Sequence, residues 1–215
     1  MRNILCYGDS NTYGLSPEWL NGKPGRHGPD VRWPGVLQRL LGDEYHIIEE
    51  GLNGRTTVFD DPTSAGRRGL DFLPVCIESH LPLDLVILML GTNDVRSMYG
   101  VSPSEIAAGM GRLVQAVLNP FIYMMFTPPK VLIAAPVPIG EDATRLPDGI
   151  TTMESVEKSR RLAAHYEPLA QMMGCEFIDL AAVAETAPGE GIHLNAAGHA
   201  AVARAMADKI REIFK

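Results

Sequence analysis

The chain has 215 residues, 46% of them apolar and 21% charged, with a formal net charge of −7. Those proportions suit a globular chain with a sizeable core and exclude a disordered or low-complexity one. The acidic balance repels phosphate and anionic lipid, so neither nucleic acid nor a membrane surface is expected as a partner.

Strand and helix patterns alternate from the first residues onward. Ile4 to Tyr7 is a short apolar run ending in the turn signal Gly8-Asp9-Ser10-Asn11. Trp19 to Pro29 is rich in Gly and Pro and predicts a surface loop. Val36 to Leu41 carries helical periodicity after Pro34, a residue tolerated in a first turn. His46 to Glu50 reads as a second strand stopped by Gly51, and Leu70 to His80 as a helix with Pro74 near its first turn. Leu85 to Leu90 is the clearest strand, a continuous apolar run of the kind buried on both faces in a parallel sheet. Ser102-Pro103-Ser104-Glu105 signals a helix start, with Ser102 as N-cap and Glu105 at N3, and the helix should run to about Leu118.

Asn119 to Pro129 sets Phe121 through Phe126, all apolar or aromatic, between prolines. Such a loop is expected to cover a subunit interface or a pocket rim. Val131 to Ala135 is the fourth strand. A long helix is expected from Thr152 to Met173, kinked or split by Pro168. Glu176 to Asp179 is the fifth strand, and Asn195 caps a last helix reaching Phe214.

This alternation predicts an α/β fold of one domain over residues 1–215: a three-layer, doubly wound, five-stranded parallel sheet. No stretch approaches the ~18 apolar residues of a membrane helix. Met1-Arg2-Asn3 leads directly into Ile4-Leu5-Cys6-Tyr7 with no signal-type cleavage site. Cys6, Cys76 and Cys175 have no metal-type spacing, so free thiols in a reducing cytoplasm are expected.

Ligands of doubly wound sheets bind beyond the carboxyl ends of the strands. Four segments should converge there: Gly8-Asp9-Ser10-Asn11, Gly51-Leu52-Asn53-Gly54-Arg55, Gly91-Thr92-Asn93-Asp94 and Glu190-Gly191-Ile192-His193. Ser10 alone reads as a helix cap. With His193 as base and Glu190 as the group that orients the ring, it becomes a nucleophile, and Gly191 permits the turn that brings Glu190 to His193. Acyl transfer also needs donors aimed at the developing oxyanion. The Ser10 amide, the Asn93 side chain and the amide of Gly54, which has no Cβ, are candidates.

Asp9 is expected to organise its turn and Asp94 to cap backbone groups after the third strand. Arg55 should pair with Asp60 or Asp61. Tyr13 and Trp33 line either a pocket or, for Trp33, the core. His193 and His199 make no metal site at their spacing, and no cofactor is expected.

Gly8-Asp9-Ser10, Gly54, Gly91-Thr92-Asn93-Asp94 and His193 together resemble the four blocks of the SGNH (GDSL-type) hydrolases, in order and over nearly the whole chain. Asp30-Val31-Arg32-Trp33, Arg55-Thr56-Thr57 and Leu81-Pro82-Leu83-Asp84 look like the bacterial arylesterase/acyltransferase branch. The resemblance implies a flavodoxin-like fold. It makes Ser10 the nucleophile and His193 the base, with Ser10, Gly54 and Asn93 as the oxyanion hole. It implies small aryl, alkyl or sugar esters as substrates, short acyl groups hydrolysed or transferred, and a homo-oligomer. One position departs from the pattern, because Glu190 stands where the family usually has Asp. Glu190 can serve as the acid, can face solvent and leave a backbone carbonyl to orient His193, or can yield its role to Asp179. Two other functions use the same fold: a flavin- or phosphate-binding module with the anion at Gly8 to Thr12, and a catalytically inactive carbohydrate-binding relative.

Overall fold

Five parallel strands lie in the order β2-β1-β3-β4-β5. They are β1 (Arg2–Gly8), β2 (Tyr45–Gly51), β3 (Leu85–Met89), β4 (Lys130–Ala135) and β5 (Glu176–Asp179). This computed structural model describes residues 1–23, 25–147 and 149–215.

Side chains alternate between two cores, as the period of two demands. Ile4, Cys6, Ile87 and Met89 pack with Trp33, Leu37, Met206 and Ile210 on one face. Those partners come from α2 (Trp33–Leu41) and α6 (Ala196–Ile213). Leu5, Tyr7, Val86 and Leu88 pack with Leu73, Met110, Leu162 and Tyr166 on the other. There the cover is α3 (Gly69–Ser79), α4 (Pro103–Val117) and α5 (Met153–Met173). Every residue of β3 is buried, which is why its sequence shows no polar alternation.

The predicted caps are in place. Ser102 and Glu105 form a reciprocal capping box, and Asn195 Oδ1 accepts from the Gly198 amide at 2.9 Å. Two prolines sit differently from expectation. Pro168 neither ends nor splits α5, which runs unbroken for 21 residues. Buried Leu162, Tyr166 and Ala170 flank it, and their packing outweighs one lost backbone bond. Pro74 lies in the body of α3 because that helix already begins at Gly69.

The loop carrying Phe121 to Phe126 precedes β4 and so lies at the amino-terminal edge of the sheet. Tyr123 is buried, its hydroxyl donating to the Val117 carbonyl at 2.6 Å. Phe121, Met124 and Met125 are 91%, 86% and 88% exposed. This placement removes the pocket-rim reading, because the strand ends that gather the four segments are at the opposite edge.

β1 has β2 on one side and β3 on the other, so the chain leaves it in opposite directions, which opens a crevice beyond its carboxyl end. The register sets Gly8 level with both Gly51 and Met89. A single helical turn, α1 (Ser10–Tyr13), rests directly on that edge. A Cβ added to Gly51 would lie 2.1 Å from the Tyr13 amide nitrogen, so only glycine lets α1 sit so close.

Candidate active site

Ser10 is the first residue of α1, and the buried Asp9 carboxylate caps that turn by accepting from the Asn11 amide at 2.9 Å. Asp9 therefore organises the turn as expected. The Ser10 hydroxyl lies 3.0 Å from His193 Nε2. On the other side of the ring, His193 Nδ1 is 2.5 Å from Glu190 Oε1. A carboxylate at Nδ1 fixes the ring proton there and leaves Nε2 as the acceptor for the serine hydroxyl.

Glu190 reaches His193 because the backbone folds back between them. Gly191 has φ +78°, and a Cβ there would lie 2.5 Å from the Ala143 amide nitrogen. The fold aims the Ile192 and His193 amides at Glu190 Oε2, at 2.9 and 2.6 Å. Burial pushes the Glu190 carboxyl up, but the His193 ring and these amides outweigh it, so its net direction is down. Glu190 thus faces the histidine rather than solvent. Asp179 is engaged elsewhere, accepting from the Ala181 amide at 2.9 Å.

The two remaining strand-end loops are tied to the first. Asn93 Nδ2 donates to the Arg55 carbonyl at 3.0 Å, which leaves its second N–H uncommitted to that bond. Gly54 adopts φ +75° in the adjoining turn. Leu52 N–H donates to the Gly8 carbonyl at 3.1 Å. Arg55 corrects a sequence expectation: it pairs with neither Asp60 nor Asp61. Its Nη1 donates to the carbonyls of Gly8, at 2.8 Å, and of Glu50, and the guanidinium lies 4.0 Å from the Tyr7 ring centroid. A buried cation beside strand ends satisfies itself on the carbonyls those ends expose. Asp60 faces Arg68 and Asp61 holds Thr63.

Asp94 caps a backbone group as expected, though one in the loop after β2. It reaches across to Thr57, accepting from the amide at 2.9 Å and the hydroxyl at 2.5 Å. Burial raises its carboxyl to about 6 despite those bonds, with a smaller push from Asp9. Trp33 is fully buried in the core, its amide donating to His199 Nδ1 at 3.3 Å. Burial pushes the thiols of Cys6, Cys76 and Cys175 up, Cys76 to about 11, so no competing thiolate arises.

Two residues of the site carried no sequence expectation. The Asn11 side chain bonds the peptide groups on both sides of His193, and Trp19 Nε1 donates to Glu190 Oε1 at 3.1 Å. For Trp19 a signal was present, since an indole N–H in a Gly/Pro-rich loop needs an acceptor. A cleft of about 420 Å³ runs along this side, lined by Tyr13, Leu15, Trp19, Arg26 and Asn53. Larger depressions of about 500 and 480 Å³ lie around residues 181–188, and neither Ser10 nor His193 lines them or the cleft beside Trp19.

The family model for the GDSL-like lipase/acylhydrolase family matches residues 6–201. The chain is 42% identical to a carbohydrate acetylesterase from Sinorhizobium meliloti, with a TM-score of 0.95 and full coverage of both chains. It is 39% identical to the aryl esterase of M. smegmatis, with a TM-score of 0.92 and 99% of each chain covered. An acetylxylan esterase of Xylanibacter ruminicola is 25% identical over 97% of this chain. The chain spans 43% of the length of that curated relative.

Proposed function

The chain belongs to the GDSL-like lipase/acylhydrolase family, and we propose that it is a serine esterase acting on short acyl esters of small aryl, alkyl or sugar alcohols. The observation that carries this reading is the continuous hydrogen-bond line from the Ser10 hydroxyl through both nitrogens of His193 to Glu190. Ser10 Oγ attacks the ester carbonyl as His193 Nε2 takes its proton, and Glu190 stabilises the imidazolium. The Ser10 amide, the Gly54 amide and the free N–H of Asn93 receive the oxyanion. His193 returns the proton to the leaving alkoxide, giving an acyl-Ser10. Water, or a second alcohol, then attacks this ester with His193 again as base, releasing acid or a new ester.

The names of the similar proteins support sugar and aryl esters as substrates. In this reading the variable part of such an ester lies in the cleft beside Trp19, whose lining residues Tyr13 and Asn53 adjoin the Ser10 turn and Gly54. Residues 1–215 form a single catalytic domain in this reading. The three free thiols support a reducing, cytoplasmic setting. Among the described residues, no helix is long and apolar enough to cross a membrane. The exposed side chains of Phe121, Met124 and Met125 support a homo-oligomer in which a second copy covers them.

The alternatives are not favoured. A phosphate at Gly8 to Thr12 would have to displace the Asp9 carboxylate, which already takes the Asn11 amide. An inactive carbohydrate binder leaves the Ser10–His193–Glu190 line without a role. A fluorophosphonate probe should add one label per chain, and Ser10→Ala should abolish both the label and turnover of p-nitrophenyl acetate. Undiminished turnover by Ser10→Ala overturns the assignment.

A further inference from the structure

We propose that Trp19 is a positioning residue for the His193–Glu190 pair, holding a glutamate where one more torsion must be ordered than an aspartate would have. The inference rests on the assignment of Ser10, His193 and Glu190 above. Glu190 accepts four N–H groups. Three come from its own turn: the Ile192 and His193 amides on Oε2, and His193 Nδ1 on Oε1. The fourth is Trp19 Nε1, 3.1 Å from Oε1 and 171 residues away in sequence. The indole therefore shares the oxygen that holds the histidine. Among the described residues it is the one partner of that carboxylate that does not move with the turn itself.

The segment that presents Trp19 is held firmly enough to act this way. Trp19 lies in the short 3₁₀ helix Pro17–Asn21, capped by Ser16. The Ser16 amide donates to the Gly25 carbonyl at 2.9 Å, and the His27 amide to the Gly14 carbonyl at 2.7 Å. The body of the indole packs against the core on the α4–α5 side of the sheet. Because Gly14 directly follows α1, the segment that starts with Ser10 folds over and grips the acid.

The chemistry of the indole suits the role. It donates and never accepts, so it bonds the ionised carboxylate more strongly than the protonated acid, and it carries no charge that would cancel the one Glu190 offers to an imidazolium. An aspartate at 190 would be shorter by one methylene, and its oxygens would retract from Trp19. The pairing thus fits this chain's departure from the usual acid.

A double-mutant cycle on ester hydrolysis tests the proposal. Trp19→Phe keeps an aromatic ring against the core and removes the donor together with part of the indole's bulk, a loss that is the same in both backgrounds of the cycle. It should lower kcat roughly tenfold with KM changed less than about twofold. The acid limb of its pH profile should move, because the carboxylate that faces the imidazolium loses one donor and its fixed orientation. In a Glu190→Asp background the same substitution should change kcat by less than about twofold and leave the limb in place. An equal loss in both backgrounds makes Trp19 a packing residue and overturns the proposal, as does an unchanged kcat in Trp19→Phe alone. Should Glu190→Asp prove inactive, the acid limb of Trp19→Phe decides, and an unmoved limb overturns it. Failure of the esterase reading is distinguishable, because it appears as retained turnover in Ser10→Ala whatever Trp19→Phe does.

Discussion

Asn11 holds His193 from both sides: its Nδ2 donates to the Ile192 carbonyl at 3.2 Å and its Oδ1 accepts from the Leu194 amide at 2.9 Å. The residue next to the proposed nucleophile therefore sets where the proposed base stands. Asn11→Ala leaves a buried carbonyl and a buried amide unpaired, a cost of about 2 kcal/mol or more. It also frees the 190–194 turn to drift from Ser10, and a misplacement of that kind should lower kcat roughly 10- to 100-fold. Urea unfolding and steady-state kinetics on one preparation check both. A variant that loses stability yet keeps its kcat would show that α1 alone fixes the geometry.

Gly51→Ala should damage the same site through the backbone. The added Cβ would meet the Tyr13 amide nitrogen at 2.1 Å and the Thr12 carbonyl carbon at 2.6 Å, and neither can swing aside as a side chain would. The turn carrying Ser10 must lift off the sheet edge, at a cost of about 1–3 kcal/mol. Labelling by a fluorophosphonate probe should slow well below the folding midpoint temperature. Wild-type labelling rates in a destabilised variant would mean that β2, not α1, yields.

What was legible in the sequence follows from which forces are local. β3 was plain because burial on both faces leaves an unbroken apolar run, and Ser102 and Asn195 were plain because capping is settled within three residues. The four site segments could be found because each follows a strand or leads a helix in an alternating chain. Arg55 was misjudged because its partners are carbonyls exposed by the ends of other strands, which no residue type reports. The capping role of Asp94 is legible, but its partner Thr57 is not, because the two meet only across two loops. The contact between Trp19 and Glu190 has no pattern along the chain, since it joins a loop near one end to a turn near the other.

Asp94 should make the fold less stable as pH rises. Its folded carboxyl titrates near 6, above the ordinary 3.8, because burial outweighs the bonds from Thr57. The folded state thus binds the proton more tightly than the unfolded state, and stability is lost as pH climbs from about 4 to about 6. The slope approaches 1.4 kcal/mol per pH unit for one proton. Asp94→Asn keeps an oxygen for Thr57 and removes the charge. Against wild type it should gain stability progressively over that window and hold the gain above it. Urea midpoints at pH 4, 5, 6 and 7 measure this, and a constant difference between the two proteins would refute it.

His199 should act in the opposite direction over an overlapping window. Burial, with smaller contributions from His27 and His193, lowers its ring to about 3 from the ordinary 6.5. Its Nδ1 accepts from the Trp33 amide, which requires the neutral ring. Between about 6.5 and 3 the unfolded state therefore carries a proton that the folded state refuses. Stability is full above 6.5 and falls by up to about 1.4 kcal/mol for each pH unit of acidification. Between pH 4 and 6 this loss offsets the gain from protonating Asp94, so wild type should show a flatter stability profile there than either single variant. His199→Asn supplies an acceptor in place of Nδ1 without a titrating ring. It should lose the acid-side decline while Asp94 still contributes, so its stability should rise from pH 6 to pH 4. A His199→Asn profile parallel to wild type would show that His199 protonates without opening the packing between α2 and α6.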